Sequence, residues 1–297
     1  MRLQTFLFII LSLISGSTLL AQNTKNDSNW IRTGQFGLSL SQVSLSDWAS
    51  GGENNVGLEV FVNYSADLKK GKNIWKNRFE FAYGLDKGGD DATEKTNDKL
   101  YISSTYGRAI NKTLYASVSG DFKTQFTNGY NYKTDPKTTL SKFFSPAYLQ
   151  IGAGAMWIPK PWITMGFNPA SFKATFVLDD DLSNQGAFGV DVDKNGEGDK
   201  LFSEFGASMK IEVKKEIIKN INLYSRLELF TSYLEDTKNV DLYWDVQINM
   251  TINKWFAANI ATNMIADNNV KISKEDGTIS TKLQFKEALG IGLVFNF

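Results

Sequence analysis

The chain has 297 residues, with 32 basic and 32 acidic side chains and 13% aromatic residues. It contains no Cys and no His, which excludes disulfides, lipoprotein processing at a cysteine, thiol or Ser–His catalysis and His-ligated metal sites. A neutral chain also lacks the basic stripe of nucleic-acid-binding proteins, so we expect no nucleic-acid partner.

Residues 1–21 have the order of a secretory signal peptide. Arg2 is followed by a largely apolar run over 6–14 and then by small residues up to Ala21. The run is too short for a transmembrane helix, which needs about 20 apolar residues. We therefore predict cleavage after Ala21 and a periplasmic segment over 22–34. An uncleaved membrane anchor is the alternative.

The rest of the chain alternates apolar and polar residues in segments of about ten, which is typical of half-buried strands. In the last segment, Leu289, Ile291 and Phe295 alternate with small or polar residues. A change of parity at 168–169 predicts a bulge or a break in the seventh strand. We predict twelve strands, near 35–46, 54–68, 74–86, 97–109, 113–127, 144–157, 162–178, 201–214, 220–234, 240–252, 255–267 and 283–297.

The connections between these strands alternate in length. Those after even-numbered strands are short, such as 69–73 and 111–112, and those after odd-numbered strands are mostly long and polar, such as 128–143 and 179–200. Short periplasmic turns and long extracellular loops are typical of outer-membrane barrels. The sequence predicts an all-β fold, a single antiparallel transmembrane β-barrel over 35–297, in the outer membrane of a Gram-negative cell. A soluble β-sandwich is the alternative.

The last eight residues end in Phe295 and Phe297 on the predicted outward face. They resemble the C-terminal signal strand by which outer-membrane barrels are recognised for insertion. The resemblance implies two partners, the barrel-assembly machinery during insertion and the lipids of the outer membrane afterwards.

Four blocks resemble an uncharacterised family of Bacteroidota outer-membrane proteins, known as a domain of unknown function. They are Trp48-Ala49-Ser50-Gly51-Gly52-Glu53-Asn54, Asp121-Phe122-Lys123-Thr124-Gln125-Phe126, Phe144-Ser145-Pro146-Ala147-Tyr148 and Leu283-Gln284-Phe285-Lys286-Glu287. The resemblance implies a barrel and its location but no activity.

Nine charged residues fall on the predicted inward face of the barrel: Glu59, Arg78, Glu80, Asp121, Lys123, Arg226, Glu228, Asp245 and Lys286. One hypothesis is a narrow channel for small solutes, in which these charges line a selective pore. The alternative is a structural or assembly-partner barrel whose lumen is closed by a salt-bridge network, since side chains can fill a small barrel. No carboxylate pair stands out by its spacing, so we expect no catalytic residues and no enzyme.

Residues 191–199 read D-x-D-x-N-G-x-x-D, which matches ligand positions of a calcium loop. The candidate ligands are Asp191, Asp193, Asn195 and Asp199. The bidentate Glu of such loops is replaced by Phe202, and we expect no flanking helices. A Ca²⁺ ion held by this loop is one hypothesis, and a solvated acidic outer loop is the alternative. We expect no other cofactor.

Overall fold

A computed structural model of the chain describes residues 29–43, 55–88, 93–132, 134–234, 237, 239–267, 269, 272–273, 279–280 and 283–297. The predicted signal peptide, the first part of the predicted periplasmic segment and the block at 48–54 lie outside the described residues.

Twelve of the strands that the structure describes close into one antiparallel barrel, as the sequence predicts. The strands in chain order are β1 (Trp30–Val43), β2 (Asn55–Lys70), β3 (Asn73–Gly88), β4 (Glu94–Ala109), β5 (Leu114–Thr124), β6 (Gly129–Asn131), β7 (Thr138–Ser141), β8 (Ala147–Lys160), β9 (Ile163–Phe176), β10 (Leu201–Ile218), β11 (Ile221–Ser232), β12 (Asp241–Thr251), β13 (Phe256–Ala266), β14 (Ile272–Ser273), β15 (Ile279–Ser280) and β16 (Gln284–Asn296). Around the barrel they follow the order β1-β16-β13-β12-β11-β10-β9-β8-β5-β4-β3-β2, while β6–β7 and β14–β15 are separate hairpins.

The two ends of the barrel differ in their connections. At one end, called here the turn end, short connections such as 71–72 and 219–220 join consecutive strands, and β1 begins and β16 ends there. At the other, the loop end, the connections are longer, such as 125–146 and 177–200. This alternation confirms the pattern predicted from the sequence and gives each strand its direction.

The surface and interior of the barrel are inverted relative to a water-soluble protein. Large apolar side chains such as Ile102 and Phe167 are exposed on the outside, while Glu80 and Arg226 are buried inside. Because successive side chains of a strand point to opposite faces, this follows directly from the alternation in the sequence. An apolar outer face with a polar interior is the pattern of a transmembrane barrel.

Some strand boundaries differ from the prediction. β1 begins at Trp30 instead of 35, so residues 30–34 belong to the barrel and not to a periplasmic segment. The alternation of the sequence does not reveal this earlier start, because Arg32 places a charge where an apolar residue is expected. Its guanidinium lies 5.7 Å from the Trp30 ring centroid. β8 begins at Ala147 instead of 144, because Lys142 and Ser145 bridge across a turn in which Phe144 has a φ of 55°.

The bulge predicted in the seventh strand is confirmed. In β9, Ser171 pairs with Gly206 and Asn168 with Ser208, so three steps along β9 match two along β10. The pairing of β9 with β8 shifts at the same place. The extra residue turns Asn168 inward, where its Nδ2 donates to the hydroxyl of Ser119 at 3.1 Å.

The connection 177–200 is folded rather than extended. It contains the short helix α1 (Asp180–Asn184) and a 3₁₀ turn at Ala187–Gly189. Val177, Leu182 and Val190 are buried together in a small apolar core. The expectation of no flanking helix was therefore wrong for α1, which the apolar core holds against the barrel. Among the described residues, no helix is long and apolar enough to cross a membrane.

Candidate functional site

The centre of the lumen is occupied by Arg226 of β11, which is 2% exposed. Its Nη1 lies 2.9 Å from Glu80 Oε1, its Nη2 also bonds Asp245, and its Nε lies 3.4 Å from Glu228 Oε1. Its guanidinium carbon stacks 3.9 Å from the centroid of the Tyr101 ring. Burial of this cation is tolerated because several carboxylates surround it and offset the cost of removing it from water.

The ion pairs cross the whole width of the barrel. Arg226 on β11 and Glu80 on β3 have five strands between them in either direction, and the same holds for Lys99 on β4 and Asp245 on β12. The Lys99 Nζ lies 3.0 Å from Asp245 Oδ2 and 2.8 Å from Glu80 Oε2. Side chains from opposite walls therefore meet in the middle of the lumen.

A second group of contacts extends this network sideways. The Tyr101 hydroxyl donates to Asp121 Oδ1 at 2.8 Å, Lys210 bonds Asp121, and Lys123 bonds Glu228. Each of these carboxylates thus has a cation or a hydroxyl donor. We call the whole network the central layer. Its members are Arg78, Glu80, Lys99, Tyr101, Asp121, Lys123, Lys210, Arg226, Glu228 and Asp245.

Seven of the nine inward charges predicted from the sequence lie in the central layer: Arg78, Glu80, Asp121, Lys123, Arg226, Glu228 and Asp245. Glu59 and Lys286 do not. They line a separate cavity of about 280 Å³ towards the loop end, and Glu59 accepts a hydrogen bond of 2.8 Å from Asn97.

Three members of the central layer, Lys99, Tyr101 and Lys210, were not among the residues predicted to line the lumen. The signal was present, because Lys99 and Tyr101 alternate with apolar Leu100 and Ile102 in a predicted strand. Continuing the alternation along β4 and β10 places all three on the inward face.

A second buried cluster lies nearer the loop end and was also missed. Lys173 Nζ contacts three carboxylates, Asp241 at 2.6 Å, Glu204 at 3.2 Å and Asp267 at 3.4 Å. The hydroxyl of Tyr243 donates to Asp267 at 2.8 Å. These residues lie at the loop-end termini of four different strands, so Lys173 connects β9, β10, β12 and the end of β13.

Two polar cavities lie between the central layer and the turn end. Their volumes are about 380 Å³ and 160 Å³, and they share Ser65, Arg78 and Lys214 as lining residues. We call them together the turn-end cavity. Its walls carry amides and hydroxyls, among them Asn63, Gln247, Asn249, Thr33, Thr105 and Thr164. A space of this size and polarity suits a small hydrophilic molecule.

The 191–199 loop is a tight hairpin closed by a bridge between Val192 and Gly198. The Asp193 carboxylate accepts the backbone N–H groups of Asn195 at 2.8 Å and Glu197 at 2.9 Å. The bond from Glu197 holds the pKa of the Asp193 carboxyl below its ordinary value. In the part of the chain that the structure describes, no three acidic side chains are arranged to hold a metal ion. The calcium hypothesis stays a prediction, and this turn geometry favours the solvated-loop alternative.

The acidic residues just upstream have partners of their own. The Asp179 carboxylate caps α1 by accepting the N–H of Leu182 at 3.2 Å and lies 2.6 Å from Lys142 Nζ. Asp180 lies 2.6 Å from Lys200. The Lys142 contact attaches the 177–200 connection to the preceding loop, whereas the Asp180–Lys200 pair lies within the connection itself.

The predicted insertion-signal residues lie on the seam where the barrel closes. Phe297 exchanges two backbone hydrogen bonds with Gly34, of 2.6 Å and 2.9 Å, and its ring covers the space that a Cβ on Gly34 would need. Phe295 stacks on Phe36 of β1 with ring centroids 6.4 Å apart. The end of β16 therefore holds the first strand by both backbone and aromatic contacts.

A family model described as a protein of unknown function (DUF3078) matches residues 40–130, which is less than half of the chain. The match includes the blocks at 48–54 and 121–126, whereas those at 144–148 and 283–287 lie beyond it. A comparison with curated proteins gives no match.

Several solved outer-membrane barrels are similar to this chain. The translocator domain of the autotransporter NalP from Neisseria meningitidis is 10% identical, with 98% of this chain and 95% of that chain covered and a TM-score of 0.36. An outer membrane channel from Pseudomonas putida F1 is 8% identical, with coverages of 93% and 100% and a TM-score of 0.38. OmpT, an outer membrane protein of Vibrio cholerae, is 9% identical, with coverages of 93% and 100% and a TM-score of 0.31. Similarities of this size carry no information about activity or solute.

Proposed function

We propose that this protein is an outer-membrane barrel of a Gram-negative cell whose central layer closes the lumen to free diffusion. It would be exported through a cleaved signal peptide, with the turn end in the periplasm and the loop end outside. The apolar outer face supports the membrane location. The Phe297–Gly34 seam supports a role for the last strand during insertion, with the barrel-assembly machinery and the membrane lipids as partners.

The observation that carries the closed lumen is the pairing of charges from opposite walls. Arg226 reaches Glu80, and Lys99 reaches Asp245, across the barrel diameter. Twelve strands enclose more space than eight, which side chains just fill. Long charged side chains that meet in the centre are therefore needed to close it. The layer has no carboxylate left for acid–base chemistry, so we propose a structural role for it and no catalysis.

Conductance in planar bilayers tests this proposal. The purified, folded protein should give no steady conductance. A Glu80→Ala, Arg226→Ala double variant removes one cross-barrel pair without changing net charge, and we expect it to show small current steps. Glu59→Gln is the matched control, because Glu59 faces the lumen outside the layer, and it should stay silent. A steady open current through the unmodified protein would overturn the closed lumen.

A narrow channel for small solutes is the second candidate, and the cavities favour it. Polar spaces lie on both sides of the central layer, about 380 Å³ towards the turn end and about 280 Å³ towards the loop end. The central layer lies between them, so a path between the two spaces would require its side chains to shift. In that case a Lys123→Glu, Arg226→Glu double variant should turn the ion selectivity of any current towards cations, because a narrow lumen focuses the field of its charges.

A further inference from the structure

We propose that the turn-end cavity is a binding site for a small polyhydroxylated anion, one that bears a carboxylate or phosphate group and enters from the periplasm. The access route rests on the proposed closed lumen and orientation. The ligand class rests on the lining of the cavity, which is independent of whether current flows.

The first observation concerns the ammonium group of Lys214. It lies on the inward face of β10 and lines both parts of the cavity. From the residues that the structure describes, no ion pair or hydrogen bond reaches its ammonium group. Two other lysines of the cavity lining have partners inside the barrel: Lys76 bonds Thr164 at 3.1 Å, and Lys210 bonds Asp121. A cation without a partner inside a low-dielectric wall attracts an anion strongly.

The second observation concerns the guanidinium group of Arg78. It bonds Glu80 through Nε and lies 3.9 Å over the Tyr224 ring, so its planar group is held in place. Its two Nη groups make no hydrogen bond within the described residues and remain donors on the wall shared with Lys214. A fixed guanidinium fork is well suited to carboxylate and phosphate oxygens.

The carboxylates of the cavity cancel only part of this charge. Asp67 lies 3.9 Å from Lys76, and Glu212 accepts a bond of 3.2 Å from the Tyr224 hydroxyl. Against these two carboxylates, the same part of the cavity is lined by four cations, Lys76, Arg78, Lys210 and Lys214. The cavity therefore has a local excess of positive charge at Lys214 and Arg78.

The remaining lining indicates what else the ligand carries. Amides and hydroxyls such as Asn63, Gln247, Asn249 and Thr251 surround the cationic pair. Such groups both donate and accept, and they match the hydroxyls of a polyol. The volume of about 380 Å³ lies in the range of small-molecule sites, roughly 300–1,000 Å³.

Calorimetric titration of the folded protein in a neutral detergent at low ionic strength tests the ligand class. Gluconate should bind, and inorganic phosphate should bind if the charge is the main determinant. Sorbitol, which has the same carbon chain as gluconate without the charge, should bind at least tenfold more weakly. Binding of sorbitol as tight as that of gluconate, or no binding of either anion, would overturn the proposal.

Substitutions of lysines supply matched variants. Lys214→Gln should weaken gluconate binding at least tenfold, whereas Lys214→Arg should retain it. Lys70→Gln removes an exposed lysine at the turn end that does not line the cavity, and it should bind like the unmodified protein. Equal losses in Lys214→Gln and Lys70→Gln would overturn the site. Each variant is first checked for the gel shift between heated and unheated samples, so that only folded protein is titrated.

Access from the periplasm is tested by cysteine labelling, because the chain has no native Cys. Ser65→Cys places one thiol in both parts of the cavity. In a porin-deficient host, a sulfonated maleimide should label it only after the outer membrane is permeabilised. Labelling in intact cells would overturn the one-sided access and with it the closed lumen. If the unmodified protein binds no anion but the cysteine is labelled from one side only, the proposed ligand is wrong and the proposed closed lumen is retained.

Discussion

Arg226 and Glu80 form a buried ion pair, with Nη1 and Oε1 2.9 Å apart, although β11 and β3 stand on opposite sides of the barrel. Strand number and stagger set the mean diameter of a closed barrel, but its backbone hydrogen bonds join only neighbouring strands. The central layer adds direct contacts between opposite walls. It connects β3, β4 and β5 to β10, β11 and β12 through side chains alone.

Removing one partner from this layer should be costly. Arg226→Met leaves Glu80 and Asp245 with one cation fewer, and the loss of a buried partner lowers the unfolding free energy by about 3–5 kcal/mol. A Glu80→Gln, Arg226→Met double variant restores the charge balance and should recover part of that loss. Denaturant unfolding in detergent micelles, followed by tryptophan fluorescence, measures both. Lys70→Met, at the exposed turn end, should change little, and a double variant no more stable than Arg226→Met would contradict the charge argument.

The seam between Phe297 and Gly34 leads to a prediction about assembly. Deleting Phe297 removes two backbone hydrogen bonds and the ring that covers Gly34, so less folded barrel should reach the outer membrane. Leu293→Asp, which places a charge on the lipid face, should have the same effect. Asn296→Ala is the control, because Asn296 faces inward and loses only one bond to Gln35. The measurement is the amount of heat-modifiable protein in outer-membrane fractions. Equal amounts for all variants would refute the insertion signal.

The barrel could be predicted from the sequence because its outer face and its interior differ along every strand. Alternation of period two identifies strands, inward residues and the bulge at Asn168 without any tertiary information. It fails where an apolar residue points inward. Phe61 is 8% exposed and fills the space left by Gly37 on the neighbouring strand, and nothing in the alternation distinguishes it from an outward residue.

The contacts within the central layer could not be predicted in the same way. Alternation shows that Lys99 and Asp245 face inward, but their meeting depends on the stagger of strands that are far apart in the chain. The folded connection 177–200 was missed for a similar reason. Its small core forms between Val177, Leu182 and Val190, whose spacing follows neither the helical nor the strand period.

The 191–199 loop provides a test of calcium binding. We expect millimolar Ca²⁺ to give no heat in a calorimetric titration, because the Asp193 carboxylate already accepts N–H groups from Asn195 and Glu197. Asp193→Ala removes those acceptors, so the loop should be cleaved faster by protease in calcium-free buffer. Asp199→Ala, whose residue contributes a backbone N–H to the hairpin, is the control and should leave the cleavage rate unchanged. Calcium-dependent protection lost in Asp193→Ala would instead establish the metal site, with an affinity of about 10⁻⁴–10⁻³ M.

The Lys142–Asp179 pair should make the attachment of the 177–200 connection dependent on pH. The hydrogen bond from Lys142 lowers the pKa of Asp179 below its ordinary value of 3.8, so its contribution is complete above that value and is lost as the pH falls through the lower, folded pKa. The same bond raises the pKa of Lys142 above 10.5, so its contribution is lost only as the pH rises through that raised value. The attachment should therefore be constant between about pH 5 and pH 9.

Hydrogen exchange of the 177–200 backbone measures this attachment once the rates are corrected for the intrinsic effect of pH. Protection should be constant between about pH 5 and pH 9. It should decrease once the pH falls below the ordinary pKa of an aspartate. Asp179→Asn keeps an acceptor for the N–H of Leu182 but removes the charge, so it should show reduced protection at neutral pH and little further change in acid. Asp180→Asn is the neighbouring control, because its pair with Lys200 is exposed on both sides and contributes little. If Asp179→Asn and Asp180→Asn behave alike, the helix cap and not the ion pair holds the connection in place.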